Sequence, residues 1–269
     1  MKSKADFGGM SDFQLFFTLF TVRLYSMFLS IRSVTDITVY FFVTFVFSML
    51  AELILRKVKI RGAVSFLLFL SAMLLTVQSL VSYISFINEA VHPDFSGILL
   101  IILTVSAIIY SVSLKSNALA RFSSFCCILI IVSVVTVLLS NIKNFHIDYI
   151  TSTDFKPSFN MYSLIKCLDT PIMYMAFSSK DSGNSFKALK LSVAASYAFI
   201  GVIMLFVICI CGTAESYYSY PVYTLFRLAG IGTLTRLDIL FTSSTLFALL
   251  FKCTALTDAG LIFFKRGKR

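Results

Sequence analysis

The chain has 269 residues, of which 58% are hydrophobic and 13% charged, with a net charge of +10 and a mean hydropathy of +0.90. A water-soluble domain carries about a quarter of its residues as charge, so this composition excludes an ordinary soluble fold and makes lipid the natural solvent. The basic excess is not a nucleic-acid signature, because the cations sit in short segments between apolar runs, as the positive-inside bias demands.

A helix that spans the hydrocarbon layer needs about 20 mostly apolar residues. Taken in chain order, the apolar runs predict eight transmembrane helices, near 12–31, 36–56, 63–88, 97–114, 121–141, 160–178, 190–213 and 236–262, in one all-α membrane domain over residues 1–269. Three of these runs carry charge in their interior: Arg23 in the first, Lys166 and Asp169 in the sixth, Lys252 and Asp258 in the eighth. The first run follows no short apolar region with a small-residue cleavage site, so it is expected to act as an uncleaved anchor. After the seventh run, Tyr217, Tyr218, Tyr220, Pro221 and Tyr223 precede an apolar stretch with Arg227. Tyrosines suit the headgroup layer, and a short interfacial helix is expected there.

The connecting segments orient the chain. Alternate segments starting from the N-terminus hold fifteen lysines and arginines, against five in the opposite set. That asymmetry puts both termini in the cytoplasm and requires an even number of spans. The six cysteines lie in or beside apolar runs, and only His92 and His146 are present. Such thiols are expected to pack as small apolar residues, without a disulfide framework or a zinc site.

No nucleophile elbow, phosphate loop, metal-binding His-Glu pattern or spaced carboxylate pair is present, so an enzyme is not expected. An ionisable group at membrane depth is instead a functional hypothesis by default. Arg23, flanked by Thr18, Thr21 and Ser26, is read either as part of a binding cavity or as one half of a structural ion pair with Glu52 or Asp169. Lys166, Asp169, Thr170 and Pro171 interrupt the sixth span, where a proline removes a backbone hydrogen bond; this predicts a broken helix facing protein or water. Gln78, Ser79, Ser82 and Tyr83 lie along the third span and Thr242 to Thr245 along the eighth, where hydrogen bonding between helices is the commoner role.

Three segments carry a family resemblance. Tyr220-Pro221, Arg227, Ile231-Gly232 and Arg236-Leu237-Asp238 resemble the stretch before a late helix in the spore-germination permeases, the membrane-embedded B subunits of bacterial germinant receptors within the amino acid/polyamine/organocation permease superfamily. His92-Pro93 with Tyr110 and Arg121, and the opening Ser11-Asp12-Phe13-Gln14-Leu15, agree in order and spacing. The chain departs from the family where Lys115 and Asn117 stand for a loop glycine and glutamate, where Thr21-Val22-Arg23-Leu24 replaces a glycine-containing break, and in having eight rather than ten helices.

The resemblance implies a truncated inverted-repeat, amino-acid-permease-like bundle in the bacterial cytoplasmic membrane, or in the inner membrane of the spore where the host sporulates. It implies a subunit that senses a small nutrient such as an amino acid near the midplane, between the first and sixth helices. Thr21, Arg23, Gln78, Tyr83, Asp169, Thr170 and Tyr174 are the expected lining, with Arg23 meeting a carboxylate and Asp169 an amine or cation. The implied partners are a larger membrane subunit, a lipoprotein and the lipid bilayer; no cofactor and no nucleic acid is expected. An amino-acid secondary transporter and a degenerate, assembly-only subunit are the alternatives.

Overall fold

Ser11 starts the first helix with a reciprocal cap. Its hydroxyl accepts from the Gln14 N–H at 3.3 Å, while the Gln14 side chain accepts from the Ser11 N–H at 3.1 Å. The computed structural model describes residues 10–57, 60–93, 95–113, 116–152, 164–178, 183–212, 218–230 and 237–268. Among them the chain is helical throughout, with no strand: α1 (Asp12–Phe28), α2 (Val34–Lys57), α3 (Ala63–Phe86), α4 (Gly97–Ser113), α5 (Ser116–Ser140), α6 (Tyr149–Ser152), α7 (Asp169–Phe177), α8 (Gly183–Cys211), α9 (Pro221–Leu228) and α10 (Asp238–Gly267). A π turn, Ile87–Val91, extends α3, and a 3₁₀ turn, Lys166–Leu168, leads into α7.

Five helices are long and apolar enough to cross a membrane: Val34–Lys57, Ala63–Val91, Ala118–Ser140, Ser185–Cys211 and Asp238–Gly267. α4 adds a shorter apolar stretch, Gly97–Tyr110. α1, with 17 residues, and α7, with 9, fall short of that length. The short helix expected near the late tyrosines is α9, with Pro221 at its start, where a missing N–H costs nothing.

Side-chain placement is inverted relative to a soluble protein. On α2 the buried residues include Asp36, Tyr40, Thr44, Ser48 and Glu52, one every fourth position, so polar groups form the inward stripe. The outward face carries Phe42, Val46, Leu50 and Leu53, all exposed. An apolar exterior around a polar stripe is stable only in lipid, where the solvent is itself apolar. This is a helical membrane protein.

α1 is the central element. From Thr18 to Phe28 every residue is buried, and α5, α7, α8 and α10 pack around it. A helix that buries its whole circumference must lie inside a bundle. The broadest seam joins α3 to α10, and Gly260 lies in it: a Cβ there would stand 2.6 Å from the Met73 Cε and 3.4 Å from Phe69. Small residues permit such close approach between membrane helices. Gly260→Leu should therefore lower the unfolding free energy in detergent by about 1–3 kcal/mol through overpacking; an unchanged melting curve would contradict this packing. At the end of the bundle where α3 finishes and α10 begins, Phe241 packs on Phe28, Phe86, Tyr223 and Phe226, with ring centroids 5.0 to 5.8 Å apart. This aromatic cluster ties α9 to α1, α3 and α10.

Two expectations are corrected. The sixth span is not unwound at Asp169 and Pro171: helix continues through 164–165, tightens into the 3₁₀ turn and proceeds as α7. Pro171 is the third residue of α7, where the 3₁₀ turn passes into α-helix. Helix limits also shift. α5, α8 and α10 run past the expected ends, to Ser116, Gly183 and Gly267, whereas α1 stops at Phe28. The next helix intervenes there: the Ser33 hydroxyl accepts from the Asp36 N–H at 3.4 Å, and the Asp36 carboxylate accepts from the Ser33 N–H at 3.1 Å.

Candidate functional site

Of the interior charges in the first, sixth and eighth predicted spans, Arg23, Lys166, Asp169 and Lys252 converge, whereas Asp258 faces Lys265. Arg23, from α1, is 2% exposed. Its guanidinium donates to the Lys166 carbonyl at 3.2 Å, to the Cys167 Sγ at 3.5 Å and to the Tyr197 hydroxyl. It also sits over the Tyr197 ring, 5.1 Å from the centroid. The Tyr197 hydroxyl is in turn 2.8 Å from Thr44 Oγ1 on the inward stripe of α2. Arg23 thus grips the 3₁₀ turn, whose Lys166 carbonyl also accepts from the Asp169 N–H.

Asp169 opens α7, where a carboxylate suits the positive end of the helix dipole. It is fully buried and pairs with Lys252 from α10, which is 1% exposed. Ser26 bridges the two: its hydroxyl donates to Asp169 at 2.6 Å and accepts from Lys252 Nζ at 2.7 Å. Lys252 also lies 5.2 Å from the Tyr25 ring centroid. Lys166, itself buried, is repelled by Lys252 and attracted by Asp169. Two cations, Lys166 and Lys252, therefore act on one carboxylate, with Arg23 gripping the adjoining 3₁₀ turn.

The expected ion pair of Arg23 with Glu52 or Asp169 does not form. Asp169 is held by Lys252, and Glu52 pairs with Arg56 and accepts from the Tyr174 hydroxyl, further along α2. The amine that Asp169 meets is the chain's own. Among the described residues, Arg23 Nε, Thr170 Oγ1 and Asp169 Oδ1 at this centre have no hydrogen-bond partner. Arg23, Ser26, Met27, Ser30, Tyr40 and Lys166 line a small cavity of about 10 Å³, room for roughly one water.

The sequence-predicted lining is only partly brought together. Arg23, Asp169 and Thr170 lie at the centre. Thr21 points to α5 and donates to the Ser123 carbonyl at 3.2 Å. Tyr83 donates to the Thr242 carbonyl at 2.9 Å within the α3–α10 seam. Gln78 is half-buried on α3 and does not line the cavity. Tyr174 lies toward the other end of α7, on Glu52. Sequence reasoning passed over Tyr197 and Thr44, and did not join Lys252 and Ser26 to the site. Of the late motif, Tyr220, Pro221 and Arg227 belong to α9 or its cap, and Asp238 opens α10 and accepts from the Tyr223 hydroxyl at 3.2 Å; Ile231, Gly232 and Arg236 lie outside the described residues. All six cysteines are free thiols, and no group of three metal-ligating side chains occurs among the described residues.

No protein-family model matches the chain, and no curated protein or solved structure matches it either.

Proposed function

We propose that this protein is a membrane-embedded sensor subunit that recognises a small nutrient by its carboxylate at Arg23, as the B subunits of germinant receptors are expected to do. The observation that carries this reading is Arg23 itself: a buried guanidinium with no carboxylate among its described partners and an unpartnered Nε, on the wall of a cavity. A buried charge without a counter-ion is costly, and an anionic ligand group supplies one. Lys166 on the same wall adds to the attraction.

A cavity of about 10 Å³ does not hold an amino acid. Entry requires Met27, Ser30 and Tyr40 to draw back, so a ligand selects a bundle arrangement other than this one. That is the requirement for sensing, because a ligand shifts an equilibrium only by binding one state better than the other. The partners in this reading are a larger membrane subunit and a lipoprotein in the bacterial cytoplasmic membrane, with both termini cytoplasmic.

One observation favours an assembly-only subunit instead: Asp169 and Lys252 are met from within the chain, by each other and by Ser26. Arg23→Gln separates the two readings. With insertion and co-purification of partner subunits intact, the sensor reading expects at least about tenfold weaker amino-acid binding in detergent, as loss of a charged hydrogen bond gives. Loss of partner recovery with no change in binding favours assembly. Uptake of labelled amino acid into proteoliposomes would assign the site to a transporter.

A further inference from the structure

A second cleft opens at the end of the bundle where α3 finishes, remote in sequence from the Arg23 centre. It has a volume of about 470 Å³ and is walled by Glu89, Tyr218, Tyr220, Tyr223, Thr224 and Arg227, among others. That volume lies in the range of small-molecule sites, which typically combine apolar walls with a few placed polar groups.

The walls are built rather than incidental. Glu89 lies in the π turn Ile87–Val91, closed by the His92 N–H donating to the Ile87 carbonyl at 2.8 Å. π turns inside α-helices are rare and frequent at functional sites. Tyr220 caps α9, and its hydroxyl is hydrogen-bonded to Glu89. Burial, then the Glu89 carboxylate, pushes the Tyr220 phenol up to about 12, so it remains a neutral donor at physiological pH. Phe86 fixes the Tyr220 and Tyr223 rings edge-on, at 5.1 and 5.3 Å between centroids.

Two charges of opposite sign line this cleft, Glu89 and Arg227, and Arg32 acts on Tyr220 beside them. Arg227 stands exposed in the last turn of α9, and Glu89 stands exposed on the π turn. Tyr218, Tyr220 and Tyr223 give the same cleft an aromatic wall. We propose that this cleft is a binding site for a free α-amino acid with an apolar side chain, its ammonium at Glu89, its carboxylate at Arg227 and its side chain against the tyrosines. The site stands on this cleft alone and does not require the Arg23 centre to bind anything. Three residues that carry the family resemblance, Tyr220, Pro221 and Arg227, thereby acquire a physical role: two wall the cleft, and the proline starts the helix that bears them.

Equilibrium dialysis of the full-length protein in detergent, with labelled L-phenylalanine and L-leucine, tests this. Phenethylamine, which lacks the carboxylate, and N-acetylphenylalanine, which lacks the ammonium, serve as competitors. The expected result is saturable binding of at least one amino acid, weak competition by both truncated compounds, and about tenfold or greater weakening in each of Glu89→Gln and Arg227→Gln. Arg227→Lys should keep most of the affinity. Absence of saturable binding by both amino acids, equal binding in Glu89→Gln and Arg227→Gln, or competition by phenethylamine as strong as by phenylalanine would overturn the proposal. Binding that is lost in Arg23→Gln but kept in both cleft variants would overturn it while leaving the sensor reading intact.

Discussion

Asp169→Asn should lower the unfolding free energy by about 3–5 kcal/mol, the loss typical when one partner of a buried ion pair is removed. The physical reason is the composition of the centre. Asp169 pairs with Lys252 and attracts Lys166, so its neutralisation leaves two buried cations uncompensated. Lys252→Met should cost less, at or below about 3 kcal/mol, because Asp169 keeps the Ser26 hydroxyl and the attraction of Lys166. The combined Asp169→Asn, Lys252→Met variant should recover most of the loss. For Lys166, removing one attraction and one repulsion together nearly cancels, and buried pairs replaced by neutral groups of similar volume are often close to neutral in stability. The measurement is reversible unfolding in mixed micelles, read as a double-mutant cycle. Losses from the two single changes that simply add, with no coupling, would show that Lys252 and Asp169 do not act as a pair.

The cations of this centre show how far the sequence is legible. Arg23, Lys166 and Lys252 stand out as cations inside apolar runs, and lipid makes each of them a candidate. Nothing in their spacing says that they meet, because 143 residues separate Arg23 from Lys166. Only the packing of α7 and α10 around α1 brings them together. Thr44 carries a readable signal, unlike Tyr197 on α8: Asp36, Tyr40, Thr44, Ser48 and Glu52 recur every fourth residue, which marks one helix face. In a membrane helix a polar stripe marks the inward side, so it identifies what faces the centre.

Helix limits were less legible for a different reason. The reading ended spans where lysines and arginines begin, yet α8 holds Lys187 and Lys190, and α10 holds Lys265 and Arg266. Long basic side chains extend toward the headgroups and let a helix continue past the hydrocarbon. Arg266 adds a tertiary reason, donating to the carbonyls of Met175 and Ala176 at 2.9 Å each and so capping the end of α7. Pro171 predicts a break, but the chain answers it with the 3₁₀ turn at Lys166–Leu168, which passes directly into α7.

Val46→Arg should impair membrane integration of α2 by about 2.5–3.5 kcal/mol, the cost of an arginine at the centre of a spanning helix. Val46 lies near the middle of Val34–Lys57 and is 53% exposed on the face away from the bundle. Two residues along, Ser48 is buried and its hydroxyl has no hydrogen-bond partner, so Ser48→Ala should be neutral or slightly stabilising. The contrast is diagnostic because it inverts what water would impose. In a soluble protein an exposed Val→Arg change is usually within about 0.5 kcal/mol, and an arginine at an inward position does the damage. Insertion of the α2 segment into microsomes, scored by glycosylation of flanking acceptor sites, measures the difference directly. Equal insertion of Val46→Arg and the parent segment would mean that this face does not meet lipid, and the outward apolar side of α2 would then need a protein partner to cover it.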